Sequence, residues 1–130
     1  MTIGKFAAAL TCMDGRPMQA IIDWAKKERG ADFVDMITAA GMDKVLATKK
    51  PEQYKKMLRI SIKHHRAKTV LIVGHQDCAG NPVKQEQHEK DIKKAKKVAE
   101  KWLKDFEAKI PVFGLYVEEK NGKWQVAKII

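Results

Sequence analysis

The sequence predicts an α/β fold in three layers: a mainly parallel sheet with an antiparallel C-terminal edge strand, and helices on both faces. Three observations carry that prediction. Short apolar runs without polar alternation, such as Phe6-Ala7-Ala8-Ala9-Leu10 and Thr69-Val70-Leu71-Ile72-Val73, read as strands buried on both sides. Amphipathic stretches at i, i+3, i+4 spacing separate them, an alternation that builds parallel sheets. Near the C-terminus, Asn121-Gly122 is a two-residue hairpin signal that adds the antiparallel edge.

Taken in order, the first strand spans Phe6 to Thr11, and Asp14-Gly15-Arg16 turns the chain. Pro17 suits the first position of a helix, where its missing N–H costs nothing, and Gly30 ends that helix after Arg29. Its inward face is predicted to be Ala20, Ile21, Trp24 and Ala25. Phe33 to Thr38 is the second strand, followed by a small-residue turn at Ala39-Ala40-Gly41. Pro51 opens a helix whose inner stripe is Tyr54, Met57, Leu58, Ser61 and Ile62, ending near His65-Arg66. Thr69 to Val73 is the third strand, and a loop through His75 to Pro82 leads to a long helix. Ile92, Ala95, Ala99, Trp102 and Phe106 form its inner stripe, with lysines opposite. Pro111 to Val117 and Lys123 to Ile129 are the last two strands. The remaining large side chains, Met13, Met18, Met36, Met42 and Trp124, read as packing, pocket wall or interface.

A chain of 130 residues with 45% hydrophobic composition suffices for one core, so residues 1–130 are read as a single domain. No run approaches the roughly 20 apolar residues needed to span a bilayer. The apolar segment after Lys5 is shorter than the roughly 7–15 residues of an export signal, so the expected compartment is the cytoplasm. A structural disulfide is not expected there, which leaves the two cysteines as buried thiols, metal ligands or a nucleophile. Net charge is +10, but the excess is lysine, concentrated between Lys84 and Lys109, with only four arginines. Without an aromatic-studded basic sheet, no specific nucleic-acid partner is expected; the lysines read as a solvated helix face.

In open α/β sheets, ligands bind beyond the carboxyl ends of strands. Cys12 ends the first strand, His75 follows the third, and Cys78 lies one turn further on. Three soft or borderline ligands at one sheet edge suit an open, catalytic zinc site, where three protein ligands leave a fourth position free. Inert cysteines and a strand-capping histidine are the plainer reading of the same residues. Asp14 and Arg16 share the turn after Cys12, either as an ordinary surface pair or as a carboxylate oriented by a guanidinium. Asp77 and Gln76 read as loop or capping residues. A thiol enzyme using a Cys-x₅-Arg anion cradle is disfavoured, because Cys12 and Arg16 enclose only three residues.

Cys12-Met13-Asp14-Gly15-Arg16 together with Gly74-His75-Gln76-Asp77-Cys78 resembles the paired signature of β-class carbonic anhydrases. Ala31-Asp32-Phe33-Val34 leading to Ala40-Gly41, and Phe113 to Val117 turning at Asn121-Gly122, resemble further segments of that family, so the likeness covers most of the chain. The resemblance implies zinc on Cys12, His75 and Cys78, with Asp14 and Arg16 beside the open position. It further implies reversible hydration of CO₂ to bicarbonate by zinc-bound hydroxide, in a homodimer or larger homo-oligomer whose site lies at the subunit interface. It also implies that Asp14, once released by Arg16, can become a fourth zinc ligand. This chain departs from the family at Thr38-Ala39, where Arg-Asn is usual, and at Ala79-Gly80, where glycine usually comes first. Related zinc hydrolases acting on COS or CS₂, and a zinc-binding module with little or no catalysis, are the rival readings. His64, His65 and His88 are proton-shuttle candidates by side-chain type alone.

Overall fold

The computed structural model describes residues 4–130; the first three residues of the expected 1–130 domain lie outside the described residues. The chain runs β1 (Phe6–Thr11), α1 (Met18–Arg29), β2 (Phe33–Thr38), α2 (Met42–Thr48), α3 (Glu52–His64), β3 (Val70–His75), α4 (Gln85–Asp105), β4 (Val112–Lys120) and β5 (Lys123–Ile129). The strands form one sheet in the order β2-β1-β3-β4-β5. All neighbours are parallel except β4 and β5. Asn121 and Gly122 join that last pair with φ of 54° and 80°, the doubly left-handed backbone that a type I′ hairpin requires.

Strand alternation sorts the core into two layers. Ala8, Leu10, Val70 and Ile72 face Met42, Leu46, Leu58, Ile92 and Trp102, so α2, α3 and α4 cover one face. Ala7, Ala9, Leu71 and Val73 face Ile21 and Ala25 of α1 on the other. All five residues expected in the inner stripe of the long helix are buried. This is the three-layer α/β architecture that the sequence predicts, and among the described residues no helix is long and apolar enough to cross a membrane.

Four differences have physical causes. α2 was not anticipated, because seven residues after Gly41 are too few to display a helical period. Its inward residues, Met42 and Leu46, are held by tertiary packing. Met57 is 43% exposed, since α3 meets the sheet through the narrower Leu58-Ser61-Ile62 stripe and Met57 lies on its flank. Ala20 and Trp24 are only partly buried, Trp24 packing edge-on against Phe113 at 5.8 Å between ring centroids. Finally, β3 continues through Gly74 to His75, beside Val117 of β4. His75 is therefore a strand residue and not a loop residue.

Strand order positions the site. From β1 the chain crosses over α1 to β2 on one side; from β2 it returns over α2 and α3 to β3 on the other. The order reverses between β1 and β3, and in such sheets the crevice outside the carboxyl ends at that reversal is the ligand site. The β1–β3 ladder runs from Ala8–Val70 to Leu10–Ile72, and beyond it β3 goes on to His75.

Candidate metal centre

At that reversal Cys12, His75 and Cys78 come together with ligand atoms all within 4.8 Å of one another. All three are buried: His75 fully, Cys12 and Cys78 at 5% and 3% exposure. The two sulfurs stand 3.7 Å apart, far beyond the roughly 2.05 Å of a disulfide, and both thiols are free. Burial, and after it the neighbouring Cys12, pushes the Cys78 thiol up to about 11. Two buried sulfurs in contact ionise together only if a cation shares the site.

His75 supplies the clearest sign of what belongs there. Its Nδ1–H donates to the carbonyl of Gln76 at 2.7 Å, which fixes the tautomer and leaves the lone pair on Nε2. Nε2 is buried and has no hydrogen-bond partner among the described residues. A buried imidazole nitrogen without a partner is costly unless it binds something, and a ring nitrogen tied to a carbonyl is the usual outer support of a metal-ligating histidine. The donor set of two thiols and one imidazole fits zinc.

Backbone geometry holds the two cysteine loops against each other. Gly41, in left-handed backbone at φ 64°, donates its N–H to Cys12 Sγ at 3.5 Å. A Cβ on Gly41 would lie 2.5 Å from Gly80 O, and one on Gly80 would lie 2.4 Å from Ala40 C and Gly41 N. Ala39 brackets Cys12 from the same side, its N–H bonding Thr11 O and its carbonyl accepting from Met13 N, each at 3.2 Å. The small residues at 39–41 and 80 therefore allow the loops to touch.

Arg16 ties the loop after β1 to the loop after β3. Its guanidinium reaches both oxygens of Asp14, with Nη2–Oδ2 at 2.6 Å. It also reaches Asp77, through the side chain at 3.1 Å and the carbonyl at 3.0 Å. Trp124 of β5 lies under the guanidinium at 5.1 Å and edge-on to His75 at 6.0 Å. Hydrogen bonding from Arg16 holds the Asp14 carboxyl down at about 2, so it is ionised at neutral pH. Two openings flank Arg16, of about 470 Å³ and about 410 Å³. Cys78, Val83 and Lys84 line the first; Gln76, Glu119 and Trp124 line the second.

Behind the Cys78 loop is a buried polar cluster. Asn81 Nδ2 donates to Asp43 at 3.2 Å and to Asp91 at 2.9 Å, and His88 Nδ1 meets Asp43 at 2.6 Å. His88 is therefore sealed in the interior rather than placed as a shuttle. His65 sits at the opposite end of the sheet, stacked on Phe6 at 4.3 Å and bonded to Asp35 at 2.7 Å. The roles of Asp77, Trp124, Asn81 and Asp43 were not legible in the sequence. Asp77 had one signal, its place inside the His75–Cys78 motif, but its bond to Arg16 depends on a left-handed φ of 56°.

No curated protein matches the chain. Among solved structures, a carbonic anhydrase from Glaciozyma antarctica is 18% identical with a TM-score of 0.53, covering 97% of this chain and 83% of that one. A β-carbonic anhydrase from Aspergillus fumigatus is 16% identical with a TM-score of 0.53, covering 94% and 74%. One of two tetrameric β-carbonic anhydrases from Sordaria macrospora is 12% identical with a TM-score of 0.51, covering 95% and 81%. These likenesses establish the shared fold. The family profile described as "Putative carbonic anhydrase" matches residues 2–130, and the chain belongs to that carbonic anhydrase family.

Proposed function

We propose that the chain catalyses the reversible hydration of CO₂ to bicarbonate, with zinc held by Cys12, His75 and Cys78 and with Asp14 and Arg16 organising the reacting water. The observation that carries this reading is the buried, unpartnered Nε2 of His75 beside two sulfurs 3.7 Å apart, in a chain of the carbonic anhydrase family. When bound, zinc supplies a Lewis acid that brings the pKa of water from 15.7 towards about 7.

The chain's own residues do the rest. Asp14 stays anionic because Arg16 bonds both its oxygens, so it acts only as a hydrogen-bond acceptor and orients the water that attacks CO₂. Arg16 is itself fixed by Asp77 and Trp124, which holds the Asp14 carboxylate in its pair with the guanidinium. Release of Arg16 is what would let Asp14 reach the metal and close the site. A reducing compartment, the cytoplasm, suits two ligand thiols. The chain acts as a homodimer or larger assembly, as the tetrameric Sordaria proteins suggest. Met13, 66% exposed next to Cys12, and Val83 at the site opening give an apolar rim for a second copy.

Metal analysis with stopped-flow CO₂ hydration on the wild type and Asp14→Ala tests the proposal. Stoichiometric zinc with activity that falls about 10–100-fold in the variant is expected. Zinc without CO₂ hydration in either protein overturns the enzymatic reading, and the same samples assayed with COS and CS₂ separate a related hydrolase from a binding module.

A further inference from the structure

A cavity of about 600 Å³ shares no residue with the metal centre. It lies between α2, α3 and the second half of α4, and Lys50, Lys55, Lys94, Lys97 and Lys101 line it. Its floor is apolar, formed by Ala47, Val98 and Trp102. One acid, Asp105, stands at its edge, and it pairs with Lys55 at 2.9 Å. Lys50, Lys94, Lys97 and Lys101 form no ion pair among the described residues.

Two features set this groove apart from a solvated helix face. Lys94, Lys97 and Lys101 repeat at i, i+3 and i+7 on one side of α4, a spacing at which like charges destabilise a helix. Lys50 approaches from another element in left-handed backbone at φ 50°, uncommon outside glycine, with its N–H bonded to Val45 O at 3.2 Å. Positive charge is thus drawn together around a concavity with an apolar floor, where field lines are focused and an anion is held more strongly than on an open surface. Lysine ammonium groups act as point charges towards phosphate oxygens, and the volume is that of a small-molecule site.

The geometry points to a binding site for a small anion carrying several phosphate groups, in the groove between α2, α3 and α4. It is independent of CO₂ hydration. Calorimetry with inorganic tripolyphosphate on the full chain, at about 50 and about 150 mM salt, tests it. Saturable one-to-one binding is expected, weaker at the higher salt because screening shortens the reach of each charge to about 8 Å. The exposed double variant Lys94→Glu/Lys97→Glu should bind at least about tenfold more weakly. Asp105→Asn, which releases Lys55, should bind severalfold more tightly, a gain that misfolding cannot imitate. Lys26→Glu/Lys27→Glu on α1, across the sheet, should match the wild type. Absence of saturable binding overturns the proposal. So does equal weakening in both double variants, or a mixed-sequence DNA duplex binding more tightly than tripolyphosphate and losing affinity equally in both; each would mean attraction by overall charge alone.

Discussion

Replacing Gly80 by alanine puts a methyl group where the fold has backbone. The new Cβ would stand 2.4 Å from Ala40 C and Gly41 N, and 2.9 Å from Ala40 O. Ordinary contact begins at 3.4 Å, so the Cys78 loop and the Ala40-Gly41 loop must part by about 1.0 Å. None of the obstructing atoms belongs to a flexible side chain that could swing aside. Overpacking of this kind costs about 1–3 kcal/mol. The displacement also reaches the metal centre, because Gly41 N–H donates to Cys12 Sγ and Gly80 follows Cys78 by two residues. Metal–ligand distances tolerate only about 0.2 Å, and disturbed outer supports typically weaken metal binding about 10–100-fold. Urea denaturation of the metal-free protein reads the first effect, and zinc competition against a chromophoric chelator reads the second. A Gly80→Ala protein with stability within about 0.5 kcal/mol of wild type and unchanged zinc affinity would refute the argument that the two loops are locked backbone to backbone.

Asp43→Ala should destabilise the fold by about 1–3 kcal/mol for each buried donor it leaves unsatisfied, since it strands the fully buried His88 and removes an acceptor from Asn81; no loss in urea denaturation would count against the buried hydrogen bonds. Asp105→Asn should lower Tm in a pH-dependent way. Lys55 lowers the Asp105 carboxyl below its ordinary 3.8, so that contribution is present above 3.8 and lost as pH falls through the folded value. Asp105 raises Lys55 above its ordinary 10.5, so the partner contribution is full below 10.5 and lost as pH rises further. A Tm difference that stays constant from strongly acid to strongly alkaline pH would contradict the pair. Zinc at about 100 times its Kd should stabilise the chain by about 2.7 kcal/mol, an increment that a chelator removes from the wild type but not from His75→Ala.

The hairpin at Asn121-Gly122, the buried strands β1 and β3 and the inner stripe of α4 were legible because each rests on local chemistry: a turn that needs left-handed backbone, an unbroken apolar run, a 3.6-residue period. Cys12, His75 and Cys78 were legible for a different reason. Each sits at or just past the carboxyl end of a strand, and topology alone brings such ends to one edge. α2 was hidden because seven residues carry no period, and Met57 was misplaced because sequence spacing does not say how wide a contact stripe will be.

What the amino-acid sequence determined by itself was every strand and helix except α2, the family and the three residues able to ligate a metal. The tertiary structure decided what surrounds them. It was strand order, with its reversal between β1 and β3, that opened a crevice at those residues. Packing of Gly41 on Gly80 aligned the cysteine loops, and folding of β5 across the site set Trp124 beneath Arg16. Asp43 and His88, 45 residues apart, meet only because α2 and α4 lie side by side on one face of the sheet. Contacts of that kind depend on where whole elements dock, and no local pattern in the chain encodes the distance between them.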